Sequence, residues 1–166
     1  MIALRIWQIQ VGRVPLLLLD SNIEPNSPGD RELTARLYTS DLESRISQEL
    51  ILGVGGVRAL RELGYQPTVW HMNEGHSAFL GLERARELVQ TGQDFETARK
   101  LIAASTTFTT HTPVPAGNDE FPLWLMDKYF THLWPQLGLN RDQFLDVARV
   151  SQPWGGETYS MPVLAQ

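Results

Sequence analysis

"PTVWHMNEGHSAFL" (67–80) and "TTFTTHTPVPAGND" (106–119) decide how this chain is read. The first opens as a short β-rich run and turns at Asn73, Glu74 and Gly75. It then passes into a helical period with Phe79, Leu82, Ala85 and Leu88/Val89 on one face. Gly92 stops that helix, and Asp94 caps a further one through Ala104 with Phe95, Ala98, Leu101 and Ile102 directed inward. The second stretch begins with another β-rich run, "TTFTTH" (106–111). Strand, helices, strand is a βαβ unit, which requires parallel strands and a right-handed crossover. The expected fold class is therefore α/β. Ligands of open α/β sheets bind beyond the carboxyl ends of the strands, so "NEGH" (73–76) and "HTPVPAGND" (111–119) should line one crevice.

Outward from this unit, Leu42, Ile46, Leu50, Val54, Val57 and Leu60 recur at helical spacing. They predict a helix of about six turns, opened by a Ser40/Glu43 capping box and closed by Gly64. "DSNIEPNSPGD" (20–30) is a loop by its turn residues. Before it, "IALRIWQIQV" and "VPLLLLD" read as strands, the second apolar enough for burial on both faces. "FPLWLMDKYFTHLW" and "NRDQFLDVARV" read as two more helices, broken by Pro135 and Gly138. The chain starts inside a strand and ends on the apolar "YSMPVLAQ", so residues 1–166 are expected to be a single partial domain cut from a longer protein.

The 166 residues carry a net charge of −5 and no basic run, which sets nucleic acid aside as the main partner. No segment approaches a membrane span, and Arg5 and Gln8 interrupt the apolar amino terminus that a secretory signal needs. With no cysteine there are no disulfides, thiolate metal sites or cysteine nucleophile. A cytoplasmic protein is the expectation.

His71, Glu74 and His76 are all capable metal ligands, but the histidines are five apart across a strand-to-helix turn. The helical zinc motif needs them four apart. His71 reads as a hydrogen-bonded core histidine. "ELILGVGGVRALRELGYQPTVWHMNE" (49–74) mimics a dinucleotide fold, but Arg58 stands where the last glycine belongs, and residues 49 and 50 already fall in the helical period. Gly53, Gly55 and Gly56 then form a mid-helix cluster, serving either tight packing or close approach of a ligand. A triad of Ser77 or Thr110 with His111 lacks the nucleophile elbow. The loop at 111–119 is stiffened by two prolines, and His111, Asn118 and Asp119 on it suit hydrogen bonds to sugar hydroxyls.

Three collinear stretches, "RLYTSDLESRISQELILGVGGVRALRELG" (36–64), "HMNEGHSAFLGLERAR" (71–86) and "FTTHTPVPAGNDEFP" (108–122), resemble the α-glucan phosphorylases, which include the glycogen, starch and maltodextrin phosphorylases. The resemblance implies a piece of the amino-terminal domain, a partial Rossmann-like unit of a B-type glycosyltransferase fold. In a parent of this family the reaction is reversible phosphorolysis of terminal α-1,4-glucan linkages to α-glucose 1-phosphate. Its partners are glucan and inorganic phosphate, and homo-oligomers and allosteric control belong to the family. The implied cofactor is pyridoxal phosphate, held by a lysine of the carboxyl-terminal domain. This chain has only Lys100 and Lys128, both in predicted helices, so the fragment alone is expected to be inactive. Residue by residue, His111 matches the catalytic-site histidine whose side chain reaches the glucose 6-hydroxyl. Asn73, Glu74 and His76 match the loop bordering the sugar, with Glu74 where many members have Asp, and Thr112 follows His111 as in the family. A non-catalytic glucan-binding module and a nucleotide-binding α/β protein are the alternatives.

Overall fold

The computed structural model describes residues 1–37, 39–112, 118–153 and 155–166. β1 (Arg5–Val11) and β2 (Val14–Asp20) form an antiparallel hairpin, with Val11 opposite Val14 across a turn that Gly12 opens at φ 58°. Side chains alternate along a strand, so Trp7, Ile9 and Val11 share a face, and the register sets them against Leu18, Leu16 and Val14. Nothing among the described residues covers that face: its six side chains are 44% to 64% exposed. β2 is therefore not buried on both faces as expected. Only the opposite face, with Leu17 and Leu19, turns toward the chain.

After a short helix, α1 (Pro28–Arg31), come α2 (Leu42–Leu50), a π-helical turn (Ile51–Gly55) and α3 (Gly56–Glu62), joined without a break. The cap is Asp41 rather than Ser40. Its carboxylate accepts from the Ser44 backbone N–H at 2.8 Å, while Glu43, the expected capping-box partner, takes the Lys128 ammonium at 2.6 Å. At the far end Gly64 stands at φ 79°, and Tyr65 N–H closes on Leu60 C=O at 2.8 Å in a Schellman turn. The glycine cluster resolves toward packing at Gly53, where an added Cβ would lie 2.8 Å from the Leu80 nitrogen and 2.9 Å from Phe79 Cβ. All three glycines sit inside the helical run, so the strand-to-helix turn of a dinucleotide fold is absent here.

β3 (Trp70–Asn73) follows, then a 3-10 turn (Gly75–Ser77), α4 (Phe79–Gln90), α5 (Phe95–Ala104) and β4 (Thr106–Thr109). β3 and β4 pair in parallel, with Trp70 opposite Thr106 and Asn73 opposite Thr109. The chain is thus an α/β protein with the βαβ unit that periodicity predicts. Asp94 caps α5 through the Thr97 N–H at 2.9 Å. Ala98 and Ile102 are buried as expected, but Leu101 is exposed, because it falls off the stripe they form. α3 is tied to α4 by the fully buried Glu83, which accepts from Arg58 at 2.8 and 3.0 Å and from Arg86 at 2.6 and 3.0 Å.

The carboxyl-terminal third departs most from expectation. β5 (Glu120–Pro122) precedes α6 (Leu123–Phe130) and a 3-10 turn (Trp134–Leu137), which Gly138 ends at φ 71°. α7 (Arg141–Asp146), with Asn140 and Gln143 as a capping box, leads into β6 (Arg149–Ser151), β7 (Glu157–Ser160) and α8 (Met161–Ala165). The strands form an antiparallel sheet in the order β5-β7-β6. Rings of Phe79, Phe130, Phe144 and Tyr159 run through the core, with successive centroids 4.9, 5.4 and 5.6 Å apart. That chain of rings joins this third to α4.

Candidate functional site

Beyond the carboxyl end of β3 the backbone takes an unusual step. Glu74 stands at φ 61° and ψ 178°, a conformation that costs an L side chain roughly 1–3 kcal/mol. The strain is offset by what its carboxylate holds. One oxygen, Oε1, accepts from the backbone N–H of His111 at 3.0 Å and of Thr112 at 2.9 Å, while Glu74 N–H donates to Thr109 C=O at 2.8 Å. The two loops that leave the parallel strands are therefore bound to each other. The His111 N–H, followed by hydrogen bonds from Thr112, holds the Glu74 carboxyl down to about 2. The glycine that follows sits close-packed: a Cβ on Gly75 would come within 3.1 Å of Met161 Cβ, so Met161 would have to give way.

His76 makes the second junction. Its Nδ1 lies 3.1 Å from Asp119 Oδ2 and 3.5 Å from Glu49 Oε1. Arg45 joins them, donating to Asp119 Oδ2 and standing 3.4 Å from His76 Nδ1 and 3.7 Å from Glu49 Oε1. Asp119 and Glu49 hold the His76 imidazolium up to about 9. Burial would raise Asp119, but hydrogen bonds from His76 and Arg45 outweigh it and hold its carboxyl at about 2. Glu49 lies within ion-pair range of both cations yet makes no hydrogen bond among the described residues, so burial dominates and pushes it up to about 8.

Most of the residues singled out in the sequence converge. Glu74 Oε1 and Asp119 Oδ2 are engaged as anchors between segments. His111 is exposed, with Nδ1 3.3 Å from Glu74 Oε1. Thr112 is half-buried, and the Asn118 amide reaches its carbonyl at 3.5 Å. Pro113, Pro115 and Gly117, the expected stiffeners of the loop, lie outside the described residues. His71 is not a core histidine: β3 buries Trp70 and Met72, whereas His71 is exposed and pairs with Thr109 Oγ1 at 2.9 Å. No hydrogen bond joins Ser77 or Thr110 to His111 among the described residues.

His71, Glu74 and His76 do not form a ligand cluster among the described residues. The group among the described residues whose ligand atoms lie within 4.8 Å of one another is Glu49, His76 and Asp119, and the Arg45 guanidinium already supplies its cation. Arg45 and Glu49 escaped sequence reasoning. The signal was present in the period 42, 46, 49, 53, 57 and 60, where Glu49 occupies a buried phase of an amphipathic helix.

A cleft of about 700 Å³ opens between β2, the long helix and β3. Leu17, Leu19, Ile51 and Leu60 line its apolar part, and Arg45, His71, Asn73 and His76 its polar end.

Compared with known proteins, the chain is 57% identical to the glycogen phosphorylase of Mycobacterium tuberculosis over 131 residues, covering 75% of this chain and 15% of that protein. It is 41% identical to the maltodextrin phosphorylase of Thermococcus litoralis over 161 residues, 97% of this chain and 18% of that protein. The chain belongs to the α-glucan phosphorylase family. A third relative, the glycogen phosphorylase of Aquifex aeolicus, is 31% identical over 86% of this phosphorylase-family chain and 20% of its own length. The chain thus spans a fifth or less of these relatives. No protein-family model matches it. Among the described residues no helix is long and apolar enough to cross a membrane.

Proposed function

We propose that this chain forms the amino-terminal-domain wall of the glucan crevice in an α-glucan phosphorylase, within a partial Rossmann-like unit of the B-type glycosyltransferase fold. The observation that carries this is the Glu74 carboxylate bridging both strand-end loops through the His111 and Thr112 amides. With those N–H groups engaged, the exposed His111 and Asn73 side chains are the groups left to meet a ligand. Such side chains suit hydrogen bonds to sugar hydroxyls. The parent reaction is phosphorolysis of a terminal α-1,4-linked glucose by inorganic phosphate. This wall contributes position and dipoles, not a nucleophile.

Pyridoxal phosphate does not fit the residues present. Lys100 and Lys128 lie exposed on helices, paired with Glu96 and Glu43, and neither lines the cleft. The cofactor belongs to a part of the parent outside this chain. A non-catalytic glucan module remains the alternative; the two exposed tryptophans among the described residues, Trp7 and Trp124, do not line the cleft.

Two measurements test the reading. Maltoheptaose titrated into the labelled chain should shift the His111 and Asn73 amide signals and leave those of α7 in place. Shifts elsewhere, or none, would count against the crevice. Incubation with maltoheptaose and phosphate should release no glucose 1-phosphate, and release would overturn the division of labour. In a longer parent, His111→Ala should lower kcat about 100-fold, the loss typical when a group that positions the reacting sugar is removed.

A further inference from the structure

The proposed crevice is bordered by His111 and Thr112 and, further along the chain, by Asn118 and Asp119, and each of these borders is held in place. At the first, Glu74 binds the His111 and Thr112 amides. At the second, Asp119 is gripped from two sides: its carbonyl accepts from Met161 N–H at 3.0 Å, and its carboxylate accepts from His76 and Arg45. Arg45 is remote in sequence, 31 residues before His76 and 74 before Asp119, and belongs to a different element from either. Its side chain is only 12% exposed. A guanidinium so buried is costly unless paired, and this one is paired through charge-assisted contacts that fix direction as well as charge.

The geometry of the four groups divides their roles. His76 Nδ1 carries a single proton to donate, and Asp119 at 3.1 Å is nearer than Glu49 at 3.5 Å. Arg45, on the same helix as Glu49 and one turn before it, spans the gap and draws the Asp119 carboxylate toward α2. The ring of His76 is thereby turned to Asp119, and the end of the loop is fixed against "NEGH". The geometry points to Arg45 as a positioning residue of the glucan crevice, a tie from α2 that sets the loop end at Asp119 and the direction of the His76 ring. This rests on the crevice proposed above.

The test compares the wild-type chain with Arg45→Met and Arg45→Lys, reading the His76 ring nitrogens and the Asp119 amide by NMR and the affinity for maltoheptaose by titration. Arg45→Met is expected to move the His76 and Asp119 signals, leave the Phe79 and Phe130 core signals in place and weaken binding about tenfold or more. Arg45→Lys, which keeps the charge but not the planar fork, should recover part of the affinity. Unchanged His76 and Asp119 signals in Arg45→Met would overturn the tie, as would binding equal to wild type despite moved signals. If the wild-type chain itself fails to bind maltoheptaose, the glucan reading falls and the His76 and Asp119 signals alone decide the tie. Should Arg45→Met not fold, Asp119→Asn severs the same contact from the other end and must move the His76 ring signals. If it leaves them in place, the tie is refuted.

Discussion

Glu49 is the residue whose environment differs most from its sequence context. A helix that reads as amphipathic carries a carboxyl 3% exposed, within reach of two cations and hydrogen-bonded to neither. Its proton is retained up to about pH 8, against 4.5 for an ordinary glutamate, and the His76 proton up to about pH 9, against 6.5. Both folded-state values are raised, so the native state binds more protons than the unfolded chain across pH 4.5 to 9, and stability falls as pH rises through that window. Asp119 and Glu74 act oppositely. Held at about 2, their contributions are complete above the ordinary carboxylate range and lost on acidification toward pH 2. Thermal melts should therefore give a higher Tm at pH 6 than at pH 9. Glu49→Gln, which cannot ionise, should flatten the part of the decline that lies below pH 8, and an equally steep decline in the variant would refute the assignment. Of the other site residues, Asn73, Glu74, His76 and His111 were visible because polar groups cluster at strand ends. The anchoring role of Glu74 was not, since it depends on a positive φ that no local signal announces.

At the scale of elements, local chemistry was well read and distant pairing was not. Gly64, Gly92, Asp94 and Gly138 mark helix ends as composition predicts, because a cap is settled within a few residues. Asp41 displaced Ser40 by one position, since its carboxylate reaches the Ser44 amide. β5, β6 and β7 are not legible in the sequence, because Glu120 pairs with Ser160, forty residues away, and short strands carry little periodicity of their own. The π turn has the same origin: the helix widens where Gly53 lies against Phe79 and Leu80. Gly53→Ala should cost about 1–3 kcal/mol by overpacking a backbone contact. Gly56→Ala, with nothing within 4 Å of its added Cβ, should instead stabilise by about 0.5–1 kcal/mol through helix propensity. Urea unfolding of the two variants decides; similar effects would mean that Gly53 is not a packing constraint.

Across the whole molecule, the hairpin is the least satisfied part. Trp7, Ile9, Val11, Val14, Leu16 and Leu18 make one continuous apolar face that nothing among the described residues covers. Such a face on a strand pair drives association in water. Sedimentation of the chain should show concentration-dependent self-association, and the double variant Trp7→Lys, Leu18→Lys should return it to a monomer while leaving the melting of the helical core nearly unchanged. Equal behaviour of wild type and variant would locate the association elsewhere. The βαβ order, the long helix and most of the helix ends are legible in the residues, because periodicity and turn chemistry act over a few positions and are written in residue type. Only the tertiary structure decided which charges meet. Arg45, Glu49, His76 and Asp119 come from separate segments, and their protonation follows from burial and mutual distance, quantities that exist only once the helix has been packed against the strands.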